Sequence, residues 1–335
     1  MEAADRGVVE FSEWLKSQAL ESGFQSAGAV AAGPAHTWES YSRWVEEGNH
    51  GHLAYLAEQR DLKRNLDALL SGAESVLAVA LNYNQMVDRT PGRPWIARYA
   101  LGRDYHKVIR ARLRRIGRLA EERSPGLRWR VAVDSAPLLE REWAQRAGLG
   151  WPGKNTCLID SRRGSFFVLG FLILSHPMIP DQPSGGGCGT CRLCIDACPT
   201  GAIQPFGETW KVDARLCLST WNIEHKGEIP AEIADAMGNW TFGCDVCQEV
   251  CPFNRPRPSQ PDRAVVTDDP EVAADRTWPD LHHLAGISEV DWDRLTRGSA
   301  VRRVGWKGLQ RNALINLQNQ RGRGGGESPK PPGTG

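Results

Sequence analysis

The sequence predicts an α/β layer fold followed by a small cysteine-ligated module and a run of short helices. Three observations predict it. Apolar stretches of strand length alternate with amphipathic helical patterns through residue 176. All but one of the nine cysteines crowd between Cys188 and Cys251. Pro- and Gly-rich breaks fall at 177–187 and 256–261. The expected units are therefore 1–176, 177–258, a helical region at 259–320 and a disordered tail at 321–335 rich in Gly, Pro and Ser.

In order, Val8 to Gly23 reads as an amphipathic helix with Phe11, Trp14 and Leu15 on one face and Gly23 as its stop. Ala27 to Ala32 reads as a short strand. Helices are expected at Thr37 to Glu47 and His52 to Gln59, and a buried strand at Ser75 to Asn82. A long helix covers Asp104 to Glu122. Arg130 to Val133 forms a strand, after which Pro137 is expected to open a helix at its first position. Phe166 to Leu174 is a core strand. Short helices follow at Val290–Leu295, Ala300–Val304 and Leu309–Leu317. At 41% hydrophobic residues with 13 Trp, the 335 residues can bury a substantial core. The longest apolar run, Phe166 to Leu174, is too short to span a membrane, and no leader opens the chain. A cytoplasmic monomer without membrane contact is the expectation.

The chemistry is concentrated in Cys188, Cys191, Cys194 and Cys198-Pro199, the C-x2-C-x2-C-x3-C-P spacing of 4Fe–4S ferredoxins. Three thiolates at this spacing wrap one cluster, and the fourth reaches a neighbour. Cys244, Cys247 and Cys251-Pro252 form a second run that carries Thr241 at its first position, with Cys217 as the substitute. Exchange of the fourth ligand gives one set of Cys188, Cys191, Cys194 and Cys251, and another of Cys198, Cys217, Cys244 and Cys247. Structural zinc is the competing reading, disfavoured by three-cysteine runs ending in Cys-Pro. Cys157 is left over and reads as a buried small apolar residue.

Other motifs fail. Gly148 to Asn155 nearly fits a phosphate loop but has Asn155 where the magnesium-binding hydroxyl belongs. Asp280, His282 and Gly286 nearly fit a corrin-ligating D-x-H-x-x-G, with the Gly one residue late; helix-start polarity is the simpler reading.

Two clusters carry electrons singly, so the preceding domain should hold an acceptor. Polar residues gather at strand ends, where α/β sheets place ligands: Arg98, Tyr99, Arg103, Asp104, Tyr105 and His106; Asp134 and Ser135; Lys154 and Asn155. Asp134 is either a proton donor whose pKa burial raises, or a cap of the next helix. Basic residues concentrate at Lys107, Arg110, Arg112, Arg114, Arg115 and Arg118, and again at Arg297, Arg302, Arg303, Lys307 and Arg311 around Trp306. Each is either a solvated face or a nucleic-acid footprint.

The stretches Arg98–Lys107, Val133–Arg141, Arg146–Thr156, Ile223–Gly227 and Arg297–Arg303, with both cysteine runs, resemble the epoxyqueuosine reductases of tRNA queuosine synthesis. The resemblance runs from about Ser12 to Asn319. Pro152 and Cys157 depart from it. It implies a cobalamin-binding domain similar to that of reductive dehalogenases, a double-cluster ferredoxin module and HEAT-like C-terminal helices that bind tRNA. It implies cobalamin without a histidine ligand, Asp134 as proton donor, and reduction of the epoxide of epoxyqueuosine at the tRNA wobble position to the alkene. Arg64, Arg98, Tyr105, His106, Asp134, Lys154, Asn155 and the backbone from Leu158 to Leu169 are expected around the corrin, with Thr220 and Glu224 on the cluster side. Arg302, Arg303, Lys307 and Arg311, with Lys226 at the edge, are expected on tRNA, and a flavodoxin- or ferredoxin-type protein is expected as electron donor. The competing functions are a dehalogenase-like cobalamin reductase, a non-catalytic electron carrier and an RNA-binding module with structural clusters.

Overall fold

A computed structural model describes residues 3–90, 92–256, 260 and 265–322. Helix α1 (Ala3–Glu21) leads to strand β1 (Ser26–Ala31), helices α2 (Trp38–Glu46) and α3 (Ala54–Glu58), strands β2 (Ser75–Asn82) and β3 (Trp95–Ile96), and helix α4 (Tyr105–Arg123). Strand β4 (Trp129–Ala132), helix α5 (Glu140–Arg146) and strands β5 (Trp151–Pro152), β6 (Leu158–Ile159) and β7 (Phe167–Leu174) follow. The main sheet has the order β1-β2-β7-β4. Its three pairings are all antiparallel. The layered fold is therefore α+β, although strands and helices alternate along the chain. Parallel neighbours need a helix crossing the sheet between them; α2 and α3, which lie between β1 and β2, pack little on it.

Strand β2 shows why both faces are covered. Leu77, Val79 and Leu81 point to one layer with Phe11 and Leu15 of α1 and Ile109, Leu113 and Ile116 of α4. Val76, Ala78 and Ala80 point to the other, against Trp143 and Ala144 of α5. This is the two-residue period of a strand buried on both sides. Each fully buried Leu or Ile contributes about 1.5–3 kcal/mol. Gly170 of β7 is required by α4, because a Cβ there would lie 2.4 Å from Ile109 Cγ2.

The Pro- and Gly-rich segment after β7 is strapped to this layer. Asp181 accepts from Ala29 N at 2.8 Å and from Lys16 Nζ at 3.1 Å. Next come helix α6 (Leu193–Asp196), hairpin β8 (Ile203–Phe206) and β9 (Thr209–Val212), and a π-helical turn at Thr220–Glu224. Helix α7 (Ala231–Ala236), strand β10 (Trp240–Phe242) and helix α8 (Val246–Glu249) complete the cysteine-bearing unit. Strand β10 pairs in parallel with β3. Helices α9 (Leu281–Ala285), α10 (Glu289–Thr296) and α11 (Trp306–Gly322) close the chain. Their core (Leu281, Leu284, Val301, Leu309) is shared with Ile96 of the first unit and Ile223 and Phe242 of the second. The three sequence units thus interlock.

Some local expectations are corrected. Pro137 does not open a helix; 134–139 is a turn, and α5 begins at Glu140. Nor does Asp134 cap α5, whose N-cap is Leu139 with no side-chain cap bond. Arg321 and Gly322, expected in the tail at 321–335, belong to α11; 323–335 lie outside the described residues, as does most of the Pro-rich break at 256–261. The near phosphate loop is a hairpin, with β5 antiparallel to β6. Asp280 caps α9 by accepting from His283 N at 2.8 Å. No described helix is long and apolar enough to cross a membrane.

Candidate functional site

Two cavities lie on opposite sides of the segment 155–159. The first, about 230 Å³, is lined by Tyr83, Tyr105, Asp134, Glu140, Arg141, Cys157, Leu158, Ser165, Phe167, Val168, Leu169 and Gln248. The second, about 420 Å³, is lined by Asn155, Ile159, Gly187–Cys191, Leu193, Cys194 and Cys251–Phe253.

Asp134 enters the first cavity because β4 ends at Ala132 and the chain turns at once. Asp134 adopts φ +52°. This is left-handed backbone that costs most L-residues about 1–2 kcal/mol and that Asp tolerates better than most. Three contacts hold it. Its N–H donates to Glu140 Oε1 at 2.6 Å. Its Oδ2 lies 3.0 Å from His106 Nε2. Arg110 on α4 donates to Val133 O at 3.4 Å and Ser135 Oγ at 3.0 Å. His106 is itself oriented by Asp104, the N-cap of α4, with Nδ1 2.7 Å from Asp104 Oδ1. Asp104, His106 and Asp134 thus form a chain in which both imidazole nitrogens face carboxylates.

The protons do not lie where burial alone would put them. Burial pulls the Asp134 carboxyl up, but the His106 hydrogen bond and charge, with Arg303 and Arg110, hold it below its ordinary value. Burial lowers His106, and hydrogen bonds to Asp104 and Asp134 more than reverse this, raising it to about 9. The expectation that Asp134 is the neutral acid is therefore corrected for the protein alone: the shared proton sits on His106. Glu140 is pushed up to about 7 by burial and the Asp134 anion.

The thiols divide into two groups. Cys188, Cys191, Cys194 and Cys251 line the second cavity. Burial, then Cys188, Cys251 and Cys191, push Cys194 up to about 11. In the other group, Cys244 is raised by burial and by Cys217, Asp245 and Cys198. Cys247 is raised by its bond to Cys157, by burial and by Cys244 and Cys217. Cys194, Cys244 and Cys247, whose ionisation their thiol neighbours oppose, would be relieved by a polycation, which fits iron–sulfur ligation. Thr241, the residue at the missing first-cysteine position, is fully buried and bonds Asn316 of α11 at 2.7 Å. It serves the C-terminal helices instead.

The structure distributes the remaining candidates. Tyr105, Leu158 and Leu169 line the first cavity with Asp134. Asn155 accepts from Cys157 N and donates to Cys247 O, at 3.2 Å each, and so ties the β5–β6 hairpin to the second cysteine run. Lys154 donates to Gly189 O at 2.7 Å and Cys191 O at 2.9 Å, so it fastens the first cysteine run. Arg98 pairs with Asp245 at 3.3 Å and Glu249 at 2.6 Å. Arg64 stacks over Trp38 at 5.0 Å. Thr220 is buried with its carbonyl near His52, and Glu224 pairs with Arg303 at 2.9 Å. None of Arg98, Arg64, Lys154, Thr220 or Glu224 lines the first cavity.

Among the basic residues expected on RNA, Lys226 bonds Arg303 O at 2.8 Å and Val304 O at 3.1 Å, while Arg311 bonds Gly227 O at 2.6 Å and His225 O at 2.9 Å. Arg302 pairs with Asp293 at 2.5 Å, and Lys307 is exposed. Sequence reasoning missed Glu140, Arg141, Tyr83 and Gln248, and named Ser165 only as part of the backbone from Leu158 to Leu169. Glu140 and Arg141 stand inside the Val133–Arg141 stretch, and Gln248 follows Cys247, so proximity to a motif was the available signal.

A cavity with a positioned acid beside a double set of cluster-type thiols defines an iron–sulfur oxidoreductase. The comparisons agree. Residues 187–254 match the 4Fe-4S double cluster binding domain family, and residues 63–135 match the family "Epoxyqueuosine reductase QueG, DUF1730". The chain is 42% identical over 302 residues to an epoxyqueuosine reductase of Synechococcus sp. CC9605, covering 88% of this chain and 90% of the relative. It is 38% identical over 316 residues to that of Escherichia coli K12, covering 92% and 81%. A solved epoxyqueuosine reductase with an epoxyqueuosine-modified tRNA-Tyr stem loop superposes with a TM-score of 0.77 at 29% identity, over 92% of this chain and 81% of that one. A Bacillus subtilis epoxyqueuosine reductase, solved with its catalytic aspartate loop swung out of the active site, gives 0.77 at 29% over 92% and 82%. The chain belongs to the epoxyqueuosine reductase family.

Proposed function

We propose that this chain reduces epoxyqueuosine to queuosine at the wobble position of tRNA, with Asp134 delivering a proton to the departing epoxide oxygen. The observation that supports the acid assignment is the Asp134 turn itself, a carboxylate held in left-handed backbone at a cavity wall by Glu140 and His106. The reaction converts a C–O–C epoxide, two electrons and two protons into an alkene and water.

Cys188, Cys191, Cys194 and Cys251 would hold one 4Fe–4S cluster, and Cys198, Cys217, Cys244 and Cys247 the other. For cobalamin, the first cavity offers Leu158, Phe167, Val168 and Leu169 as an apolar wall, while its polar lining residues Tyr83, Ser165 and Gln248 are bonded to one another and brace that wall. At about 230 Å³ it takes only part of so large a group; ordinary ligand pockets span about 300–1,000 Å³. When bound, the clusters deliver electrons singly and the corrin accumulates the two that the reaction consumes.

The chain's own work is positioning and proton supply. The side chain of Asp134 is 57% exposed, so solvent can reload it. His106 holds a proton at neutral pH beside it and can pass it on as the epoxide oxygen gains charge. Tyr105, stacked on His106 with ring centroids 4.0 Å apart, fixes the imidazole plane. The C-terminal helices would form a HEAT-like platform for tRNA, with exposed Arg302, Arg303 and Lys307 toward phosphates. Lys226 and Arg311 would shape that face from beneath, since their donors are spent on carbonyls. A flavodoxin- or ferredoxin-type protein would supply the electrons. A reducing cytoplasm suits the nine free cysteines.

The test is Asp134→Asn in anaerobically reconstituted enzyme assayed by nucleoside mass analysis. Loss of a positioned acid lowers turnover by about 10²–10⁴-fold, while iron and cobalt contents stay at wild-type levels. Near-normal turnover removes Asp134 from the mechanism.

A further inference from the structure

We propose that Glu140 is the positioning residue for Asp134: its carboxylate, by accepting the Asp134 backbone N–H, holds that residue in its left-handed turn and so sets where the proton donor stands. The inference rests on Asp134 being the donor, but its structural half can be tested separately.

Several observations converge on Glu140. The N–H···O distance of 2.6 Å is short for a backbone donor. While Glu140 is ionised, acceptance by its carboxylate makes such a bond charge-assisted and stronger than a neutral one. Asp134 sits at φ +52°, and Thr156 is the only other described non-glycine residue with positive φ. A conformation of this kind persists only where its surroundings over-determine it. The acceptor is well fixed, because Glu140 is the first residue of α5 and the helix is anchored by fully buried Ala144 and by Trp143 at 1% exposure. Acidic residues also favour a first helical turn. Between Asp134 and Glu140, one other side-chain tie is made among the described residues, Arg110 to Ser135 Oγ. Without Glu140 the peptide plane of Asp134 keeps its strain and loses its restraint, while His106 holds the carboxylate end alone. Glu140 also lines the same cavity as Asp134, so the latch lies at the site and not behind it.

The alternative use of a cavity carboxyl is to carry one of the two protons itself. Two variants separate the roles. Glu140→Gln keeps an amide oxygen that can accept the N–H but cannot deliver a proton. Glu140→Ala keeps neither. If Glu140 positions, Glu140→Ala loses tenfold or more in kcat with KM for the tRNA little changed, and Glu140→Gln recovers most of it. Amide hydrogen exchange read on residues 133–138 is the second readout, and it needs no turnover. Exchange there rises at least tenfold in Glu140→Ala and stays near wild type in Glu140→Gln, with α4 and β7 protected in all three proteins. Equal loss of kcat in both variants overturns the proposal in favour of proton carriage. Wild-type protection of 133–138 in Glu140→Ala overturns it outright. Should Asp134→Asn prove active while Glu140→Ala still loosens the turn, the donor assignment fails and the latch stands.

Discussion

The two cavities on either side of the 155–159 segment are built on opposite logic. The larger is walled by Cys188, Cys191, Cys194 and Cys251, three of which lie within seven consecutive residues. The smaller is walled by Tyr83 just after β2 and by residues from α4, the β4–α5 turn, α5, β6, β7 and α8. A cluster imposes its geometry on whatever short loop brings sulfur to it, so its ligands are encoded by spacing. A catalytic carboxylate must instead be placed by a scaffold, so its neighbours come from wherever the fold delivers them. The first kind of site is lost with a ligand, and the second is degraded by degrees.

The largest expected effect tests the first half of that contrast. Cys194→Ser and Cys244→Ser should each lower bound iron by about half and abolish turnover, since each removes one of four ligands from a different set. Cys157→Ser should leave iron content unchanged although its thiol lies against that of Cys247, because Cys157 belongs to neither set. Iron and sulfide analysis of reconstituted protein decides both. Full iron in Cys244→Ser would break the division into two sets.

The intermediate effect concerns the scaffolded cavity. His106→Gln should reduce turnover by less than the about 10²–10⁴-fold of removing an acid, and should remove an alkaline limb near pH 9 from the rate profile. The same pair contributes stability with a definite sign. The folded-state pKa of His106 is raised from 6.5 to about 9, so its stabilisation is complete below the unfolded value and fades as pH rises to about 9. The melting-temperature gap between wild type and His106→Gln should therefore narrow from pH 6 to pH 9. A gap that widens would mean that the proton is not on the imidazole.

The smallest effects separate two kinds of basic residue. Arg311→Met should cost about 1–3 kcal/mol of stability, because it strands the carbonyls of His225 and Gly227. Arg302→Gln with Lys307→Gln should leave the melting temperature alone. This double variant should lower the slope of log affinity for tRNA against log salt by up to about 0.7–0.9 per charge removed. An unchanged slope would move the RNA to the α4 stripe.

That stripe shows how legible each part was. Its helix was readable from periodicity, but Arg112 is spent on Asp269 and Glu271, some 157 residues onward, which no local pattern announces. Arg98 presents the same case: it looked like a cofactor contact and instead neutralises Asp245, a buried carboxyl raised to about 6 by burial despite Arg98 and Arg89. The central strand β2 was readable to its end residues, because the six apolar residues 76–81 bounded by Ser75 and Asn82 admit little else. The antiparallel order of the sheet was not, since alternation of elements does not record which way the chain returns.

The sequence alone therefore determined the sulfur spacing, the long strands β2 and β7 and the helices α1 and α4, and through its motifs the family. These depend on residues close together in the chain, where local sterics and ligand geometry act. Only the tertiary structure decided that the Asp134 proton rests on His106, that Glu140 grips the Asp134 backbone, and that Lys226 and Arg311 serve carbonyls. Charge placement and hydrogen-bond satisfaction depend on distance through space, and folding brings together groups that the chain keeps far apart.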